Sequence, residues 1–518
     1  MDPATDTQAA PSTSRPPVTW QPWLLAAVLL AGVVLRLWYP FPEARSRDEQ
    51  TYATFAATLR TEGVAGLQRL SSAYIQDLQR LDPPPTRVGY PALVAVAQRV
   101  NGGAWETAGS WVSTIASVAT LGVAAALGVE VFGLEVAVVG TVLLAAFVPD
   151  LVIARRAWTD ALGSLLTCLM LYAAVRVTKG GARRGAVLWM CATGFVFALT
   201  KETAAVVWAA CLVWVLLSRT RQAVFTVGAS VATGLAALAT LAWVSGGPAA
   251  LWDIQSRFST FHAANPYALE YQNGPPLWLL KGFFITSPLT LLLVPVGLVR
   301  AVRLRATAPE GAFLGAFAAG FLLLPFVLPN WLSLRFASPA FVPFTLTAAS
   351  GLCWGVEALA QRREALRRVA LLAATVLVVL VGVRDLRYFT RWWVVQPTLD
   401  LSIKMVLGTT GELPARAPDA DAVSPERRAR AAQLLQESTA LFVQRQFDAS
   451  IAVGRQALVE DPTNADVYNN IAAAYEELGQ WDNAIAELQT ALRLRPDFDL
   501  ARNNLRWSVE QKRKATAP

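Results

Sequence analysis

The sequence predicts an all-α protein, with a bundle of about eleven membrane-spanning helices followed by a small solenoid of paired helices. Hydrophobic residues make up 54% of the 518 residues and charged residues only 16%, against about 25% charged in ordinary soluble domains. Apolar stretches of spanning length recur from residue 22 to residue 384. Near the carboxyl end, similar short sequences recur about 34 residues apart. This composition excludes a mainly soluble enzyme.

The polar residue types narrow the function further. The single histidine, His262, argues against a histidine-based zinc site or a Ser-His-Asp triad, because each needs more partners than the chain supplies. The four cysteines lie in apolar stretches without metal-ligand spacing and are interpreted as core residues. The net charge of +8 is explained by basic loops that orient membrane helices, so no nucleic-acid partner is expected.

Four segments are predicted in chain order. Residues 1–20, rich in Pro, Ser and Thr, predict a disordered tail. Residues 21–390 form a multi-span module, whose first outer loop is residues 43–110. The first apolar stretch is interpreted as a retained anchor rather than a signal peptide, since it follows a single arginine and no clear cleavage site comes after it. Residues 391–425, which contain several Pro and Gly, predict a linker, and residues 426–518 form the repeat module.

Eleven apolar stretches are predicted to span the membrane. Some lie at the short end of the range of roughly 17 to 25 residues that a spanning helix needs. An odd number of spans places the two termini on opposite sides. The stretches are residues 22–40, 111–129, 133–149, 159–177, 185–200, 203–218, 223–245, 277–299, 312–329, 337–356 and 369–384.

Clusters of basic residues predict the orientation of these spans. They occur in alternate short loops, which the positive-inside rule places on the cytoplasmic side. The amino terminus is then cytoplasmic, and the residues after about 386 are extracytoplasmic, in a multi-pass protein of the inner (cytoplasmic) membrane. The clusters are Arg176, Lys179, Arg183 and Arg184; Arg219 and Arg221; Arg300, Arg303 and Arg305; and Arg362, Arg363, Arg367 and Arg368.

The carboxyl-terminal segment contains an internal repeat. The sequence QFDA at 446–449 recurs as QWDN at 480–483, and Pro462 recurs as Pro496. This spacing and the small alanines between the copies resemble the tetratricopeptide repeat, a helix pair of 34 residues. About two repeats and a flanking helix fit, fewer than the roughly three needed for independent stability. We therefore expect the module to bind a protein partner on its concave face.

Charged residues are almost absent from the middle of the predicted spans, which disfavours an ion-coupled transporter. The charges outside the basic loops collect instead at span ends that the topology places on the outer face. Their convergence on one face predicts a functional site at the membrane interface. They are Asp48 and Glu49; Arg155, Arg156 and Asp160; Lys201 and Glu202; Lys281; and Arg335.

Five motifs, taken in order, resemble the GT-C membrane glycosyltransferases, a group that includes protein O-mannosyltransferases, aminoarabinose transferases and lipopolysaccharide-core sugar transferases. The resemblance covers residues 22–390 approximately. The motifs are DEQTY from Asp48, RVGYPAL from Arg87, RAWTD from Arg156, ALTKE at 198–202 and RFASP from Arg335.

The resemblance implies transfer of a sugar from a polyprenyl-phosphate carrier to an acceptor hydroxyl outside the cytoplasmic membrane. Such chemistry needs a carboxylate to accept the hydroxyl proton and cations to stabilise the departing phosphate. Asp48 matches the catalytic acidic position of the family and is the expected base. Glu49 is the second choice, and would orient the acceptor or help to bind a divalent cation. No cofactor is required by the sequence, although Mg²⁺ or Mn²⁺ would suit such a carboxylate pair.

The remaining motif residues are candidates for substrate binding. Lys201, Arg156 and Arg335 are expected to contact phosphate, ahead of Arg155 and Arg87. Lys201 and Arg335 could instead extend to the interface from a span end. Asp160 could instead cap a helix. His262 would contact an acceptor sugar or be an ordinary loop residue beside Asn265. The full set of substrate-binding candidates is Arg87, Tyr90, Arg155, Arg156, Asp160, Lys201, Glu202, His262 and Arg335.

The predicted function is transfer of a sugar, a hexose by family breadth, from the lipid carrier to an acceptor protein or glycan. A lipid-linked donor is favoured because no soluble nucleotide-sugar domain is evident. The expected partners are the polyprenyl-phosphate-linked sugar, the acceptor, membrane lipid and a protein bound by the repeat module. The alternative function is a non-catalytic membrane scaffold or lipid-linked-sugar transporter with a repeat module for interactions.

Overall fold

The computed structural model is helical and divides into two compact units, Met1–Thr409 and Thr410–Pro518. Within the described residues, the β-structure is a single antiparallel bridge between Ser333 and Ser402. The all-α prediction is confirmed. The structure describes residues 21–42, 46–76, 83–179, 184–264, 268, 271–323, 326–327, 331–360, 364–395, 400–410, 425–495 and 498–515.

The first unit is a bundle of apolar helices joined by short turns. A 3₁₀ turn, Leu334–Ala340, leads into α15, and a π-helical turn, Thr390–Val394, follows α16. The α-helices are α1 (Gln21–Trp38), α2 (Arg47–Gln76), α3 (Gly89–Asn101), α4 (Trp105–Phe132), α5 (Leu134–Ala145), α6 (Val148–Ile153), α7 (Thr159–Thr178), α8 (Arg184–Ala198), α9 (Ala204–Leu217), α10 (Ala223–Ser245), α11 (Pro248–Ala264), α12 (Trp278–Thr286), α13 (Pro288–Arg303), α14 (Pro309–Leu323), α15 (Phe341–Ala360), α16 (Glu364–Phe389) and α17 (Ile403–Gly408).

Six helices in the described residues are long and apolar enough to cross a membrane: α1, α4, α7, α10, and α15 and α16 with their adjoining turns. The pair α12 and α13, bent by 118°, makes a seventh if it forms one broken span. The helices α5, α8, α9 and α14 are apolar but shorter. The predicted stretches all fall on apolar helices of a multi-pass protein. The count of eleven is not confirmed, because the short helices do not reach spanning length.

Burial separates central helices from peripheral ones. In the most apolar 18-residue window, 83% of residues are buried in the span that contains α15 and 72% in α7, against 11% in α1 and 6% in the span that contains α16. Helices α13 and α15 pack closely at Gly297, where an added Cβ would lie only 2.0 Å from the Thr347 carbonyl oxygen. Small residues at such contacts let helix backbones approach within a membrane.

The segment predicted as the first outer loop contains two helices. α2 is kinked at Gly63, where φ is +65°, and it buries Tyr52 and Phe55 against neighbouring helices. α3 follows, and the Gly89 amide at its start donates to the Leu199 carbonyl at the end of α8, over 2.7 Å. These contacts bring three segments that are distant in sequence to one end of the bundle.

The predicted linker, residues 391–425, begins as part of the first unit. The Ile403 amide donates to the Leu332 carbonyl over 2.8 Å, and the Leu334 amide donates to the Leu401 carbonyl over 2.9 Å. Leu401 and Ile403 are both fully buried. The Pro and Gly content suggested a loop, but these apolar side chains anchor the segment beside the 3₁₀ turn because burying them removes apolar surface from solvent.

The second unit consists of helix pairs joined by short turns. The two copies of the repeated sequence begin with matching backbones, since φ and ψ are −90° and 68° at Gln446 and −87° and 63° at Gln480. The Asn504 side chain donates to the Asn469 side chain over 3.1 Å, and Ala472, Leu488 and other apolar residues form its core. The helices are α18 (Pro425–Val443), α19 (Phe447–Glu460), α20 (Ala465–Glu477), α21 (Trp481–Leu494) and α22 (Asp499–Ala515).

Candidate functional site

Asp48 lies in the first turn of α2 and is paired with Arg335 from the 3₁₀ turn before α15. The Arg335 Nη2 donates to the Asp48 Oδ2 over 2.6 Å. The Asp48 side chain is 24% exposed and the Arg335 side chain 14%. The Nε of Arg335 is buried and has no hydrogen-bond partner among the described residues. Asp48 is therefore partly accessible, and Arg335 has one N–H group without a partner among the described residues.

Glu49, the next residue, is fully buried and makes a different set of contacts. Its Oε2 accepts from the Ser46 amide over 2.7 Å and from the Arg156 Nη1 over 3.0 Å. Its Oε1 accepts from the Ala157 amide over 2.9 Å. Glu49 thus joins the start of α2 to the turn between α6 and α7, and holds Arg156 in place.

Asp160 and Lys201 form a second buried pair. The Lys201 Nζ, in the turn between α8 and α9, donates to the Asp160 Oδ1 in the first turn of α7 over 2.6 Å. Burial lowers the pKa of Lys201, although the carboxylate of Asp160 acts to raise it. The pair fixes the end of α8 against the start of α7, where an unpaired charge would carry a large desolvation cost.

Arg87 and Glu202 form a bidentate pair beside Tyr52. The Arg87 Nε lies 3.0 and 3.1 Å from the two Glu202 carboxylate oxygens, and its Nη1 donates to the Tyr52 hydroxyl over 2.9 Å. Burial acts to raise the pKa of Glu202, but the Arg87 guanidinium lowers it below its ordinary value of 4.5. Burial raises the pKa of Tyr52 to about 12, against the influence of Arg87.

Two aromatic rings connect these ion pairs into one cluster. The Trp158 ring lies 4.7 Å from the Arg335 guanidinium carbon and 5.4 Å from that of Arg156. The Phe336 ring lies 5.4 Å from the guanidinium carbon of Arg335 and 5.9 Å from the Lys201 Nζ. Cations at such distances are attracted to the ring faces. Trp158 and Phe336 both lie within the sequence motifs but are not among the predicted site residues.

Two other predicted site residues, Tyr90 and Arg155, have distinct surroundings. Tyr90 is fully buried, and its hydroxyl donates to the Gly109 carbonyl over 2.8 Å. Its role in substrate binding stays a prediction. Arg155 is buried between the rings of Tyr39 and Phe389, at 5.5 and 5.7 Å. Burial and the charge of neighbouring Arg156 lower the pKa of Arg155 to about 10.

His262 lies on helix α11, which ends at Ala264, within the segment between spans that the sequence predicts as an outer loop. The His262 side chain, and the neighbouring residues 265–267, lie outside the described residues. An acceptor contact by His262 therefore stays a prediction.

The donor set at Asp48 and Glu49 does not fit a divalent cation. Mg²⁺ and Mn²⁺ prefer several free oxygen ligands. Both Glu49 oxygens already accept hydrogen bonds from the protein, and Asp48 is bound to a guanidinium. In the described part of the chain, no group of three or more His, Cys, Asp or Glu residues could hold a metal ion. The site is better suited to an anionic ligand that would contact its cations.

The Arg87–Glu202 pair leads to a prediction about pH. Because the folded-state pKa of Glu202 is lowered, the pair stabilises the protein above the ordinary pKa and loses this effect as the pH falls through the lowered value. Glu202→Gln should cost roughly 1–3 kcal/mol of unfolding free energy at neutral pH.

Thermal unfolding in detergent, measured from about pH 7 down to about pH 3, tests this prediction. The difference in Tm between the unaltered protein and Glu202→Gln should shrink as the solution becomes acidic. A difference that is constant over this range would contradict a stabilising role for the ionised Glu202 carboxylate.

Comparison with known families identifies two parts of the chain. Residues 87–245 match the family model of dolichyl-phosphate-mannose-protein mannosyltransferase, and residues 465–498 match the tetratricopeptide repeat. The first match includes Arg87, Lys201 and Glu202 but begins after Asp48. A search of curated proteins with the sequence finds no match.

Solved structures that match this chain in the comparison include two of ArnT from Cupriavidus metallidurans. The apo form is 16% identical and covers 76% of this chain and 75% of its own, with a TM-score of 0.46. The form bound to undecaprenyl phosphate is 14% identical, covers 96% and 78%, and has a TM-score of 0.45. The oligosaccharyltransferase of Archaeoglobus fulgidus in complex with Zn and sulfate is 12% identical, with a TM-score of 0.49, and the match covers 70% of this chain and 52% of that protein.

The family match over residues 87–245 agrees with the predicted resemblance to membrane glycosyltransferases of the GT-C type. It also agrees with the motifs at Arg87, Arg156 and Lys201, which lie within the matched residues. The second match confirms the predicted repeat. The chain is thus similar, through residues 87–245, to the dolichyl-phosphate-mannose-protein mannosyltransferases, and carries a tetratricopeptide repeat at 465–498.

Proposed function

We propose that this protein transfers a sugar, a hexose, from a polyprenyl-phosphate carrier to an acceptor hydroxyl at the extracytoplasmic face of the inner membrane. The observation that carries the proposal is the pair of Asp48 and Arg335, at 2.6 Å, with the buried Arg335 Nε still available as a donor. This arrangement combines a carboxylate that can accept a proton with a guanidinium that can bind phosphate.

Asp48 is the proposed general base. The acceptor hydroxyl would give its proton to the Asp48 carboxylate while its oxygen forms a bond to the anomeric carbon of the sugar. The bond between that carbon and the phosphate oxygen would break, and the polyprenyl phosphate would leave with the electron pair. Asp48 suits this role better than Glu49, because the oxygens of Glu49 are already occupied by Ser46, Arg156 and Ala157.

Arg335 is the proposed phosphate contact. A guanidinium offers two donors to phosphate in a fixed geometry. The Trp158 and Phe336 rings pack against the Arg335 guanidinium. Lys201 and Arg156 would act mainly by orienting the site, since each is paired with a buried carboxylate. This order refines the sequence prediction, which gave the three cations equal standing.

The tetratricopeptide unit would recruit the acceptor or a partner protein. Such repeats bind peptides or helices on their surface, and this unit exposes the large apolar residues Leu500 (55%), Trp507 (45%) and Val509 (50%) on α22. An acceptor protein held by this unit would be supplied to the membrane site at a raised local concentration.

The proposed function is tested with the purified protein in lipid nanodiscs. The donor would be an undecaprenyl-phosphate-linked hexose with a radiolabelled sugar, and the acceptors would be extracts of membrane proteins and of glycans. Transfer of label with release of undecaprenyl phosphate supports the proposal. Movement of intact donor between membrane leaflets, without release of the phosphate, would favour the lipid-linked-sugar transporter instead.

The proposed topology predicts the side of the membrane on which α18 lies. A cysteine introduced by Glu437→Cys, at an exposed position, should react in intact cells with a maleimide that cannot cross the membrane. Arg221→Cys, exposed in a predicted cytoplasmic loop, is the matched control and should react only after lysis. Cys168, Cys191 and Cys211 are buried, whereas Cys353 is only partly buried, so both variants also carry Cys353→Ser to keep the labelling specific. Protection of residue 437 in intact cells would contradict the odd number of spans.

A further inference from the structure

A cleft lies at the end of α16, apart from the ion-pair cluster. Its volume is about 610 Å³. It is lined by two arginines, Arg387 and Arg391, by Tyr39 and Thr390, and by apolar residues that include Leu386. A cationic and hydroxylated wall beside an apolar one suits a ligand with an anionic head and a hydrocarbon chain.

The two arginines of the cleft have no carboxylate partner among the residues that the structure describes. Arg387 and Arg391 are both exposed, and no carboxylate lies within ion-pair distance of either in the described ranges. They are four residues apart, so their side chains lie on the same side of the helix. Arg384, on the same helix, differs because it pairs with Asp385 over 2.8 Å.

The position of the cleft indicates a membrane ligand. In the most apolar window of the span that contains α16, only 6% of residues are buried by protein, so this helix presents its apolar side chains outward. Arginine at the end of such a helix extends to the level of the lipid headgroups. The helix ends in the π-helical turn Thr390–Val394, and turns of this kind occur often at functional sites.

The wall of the cleft is held by contacts from α1 and its following residues. The Tyr39 hydroxyl lies 3.1 Å from the Thr390 Oγ1, and the Tyr39 ring packs edge-on against Phe389, with 5.1 Å between centroids. On its other side, Tyr39 contacts the buried Arg155 guanidinium, whose carbon lies 5.5 Å from the ring centroid. The two hydroxyls of the cleft therefore have a fixed position relative to the arginines.

We propose that this cleft binds the phosphodiester headgroup of an anionic phospholipid. Arg387 and Arg391 contact the phosphate, and the acyl chains lie along the apolar side of α16. The Thr390 hydroxyl donates to the Leu386 carbonyl over 2.8 Å and accepts from Tyr39, so these two hydroxyls hold the wall in place and do not bind the headgroup. The proposal is independent of sugar transfer, since it involves neither Asp48 nor the donor.

Native mass spectrometry of the full-length protein in detergent tests the proposal, with dioleoylphosphatidylglycerol and dioleoylphosphatidylcholine as probes. Phosphatidylglycerol should bind in preference. The double variant Arg387→Gln/Arg391→Gln should weaken its binding about thirty-fold, because each arginine near a lipid surface contributes about a factor of five. Arg384→Gln is the matched control and should leave the affinity within about two-fold.

Several results would overturn the proposal. Equal binding of the two lipids, or an equal loss in Arg384→Gln, would show that the two arginines do not form a headgroup site. Displacement of phosphatidylglycerol by undecaprenyl phosphate at equal concentration would assign the cleft to the carrier, and displacement by millimolar inorganic phosphate would assign it to the free anion.

An unchanged elution volume and Tm of the double variant would establish that its loss of binding is not due to unfolding.

Discussion

Asp48→Asn is expected to reduce sugar transfer by a factor of about 10² to 10⁴, the usual contribution of a general base. Asparagine keeps the size of the side chain but cannot accept the acceptor proton. It also removes the charge that holds the Arg335 guanidinium at 2.6 Å. The rate of transfer from an undecaprenyl-phosphate-linked hexose, measured in nanodiscs at saturating donor, reports the loss.

Glu62→Gln is the matched control for Asp48→Asn. Glu62 lies on the same helix and pairs with Arg69, but its side chain is 45% exposed, so this ion pair is not buried. Transfer should continue at the rate of the unaltered protein. Donor binding by Asp48→Asn should persist, since Arg335 would still contact the phosphate. Unchanged turnover in Asp48→Asn would remove Asp48 from the reaction, and with it the strongest support for the enzyme over a scaffold.

Asp150→Asn is expected to cause the largest loss of stability. The Asp150 Oδ2 accepts from the Arg36 Nη2 over 2.5 Å and from the Ser117 hydroxyl over 2.7 Å, and the ion-paired side chains are at most 1% exposed. The substitution leaves the Arg36 charge buried without a counter-ion. Breaking a buried pair in this way costs about 3–5 kcal/mol. Thermal and denaturant unfolding in mixed micelles would measure this loss.

The double variant Arg36→Met/Asp150→Asn separates charge from packing. Removing both charges is often nearly neutral, whereas removing one is costly, so the double variant should regain most of the stability that Asp150→Asn loses. Glu62→Gln breaks an exposed pair and should cost less than about 1 kcal/mol. If the double variant is as unstable as Asp150→Asn, the loss comes from packing or from Ser117, and the buried charge is not its cause.

The sequence predicted the helices well because hydrophobic patterns and helix ends depend on neighbouring residues. The apolar stretches coincide with helices, and the matching turns at Gln446 and Gln480 follow from the repeated sequence. The prediction failed where tertiary contacts prevailed. Residues 400–410 contain signals of a loop, yet Leu401 and Ile403 are buried in the first unit.

The sequence predicted which charged residues belong to the candidate site, but not which of them pair with each other. Motif residues and their common face identified the charges, because charges are costly within a membrane and those present are concentrated at functional or interfacial positions. Their partners depend on which helices pack together. The sequence could not show that Glu49 would bind the Arg156 turn, or that the Trp158 ring would lie between two arginines.

The sequence by itself determined that the chain is a helical membrane protein with a repeat unit, and it supplied the residues of the candidate site. Only the tertiary structure decided that Asp48 meets Arg335, a residue 287 positions away, and that Arg36 meets Asp150 within the bundle. The physical reason is the range of the interactions. Hydrophobic periodicity is local and can be read along the chain, whereas an ion pair forms only where packing brings two distant side chains within a few ångströms.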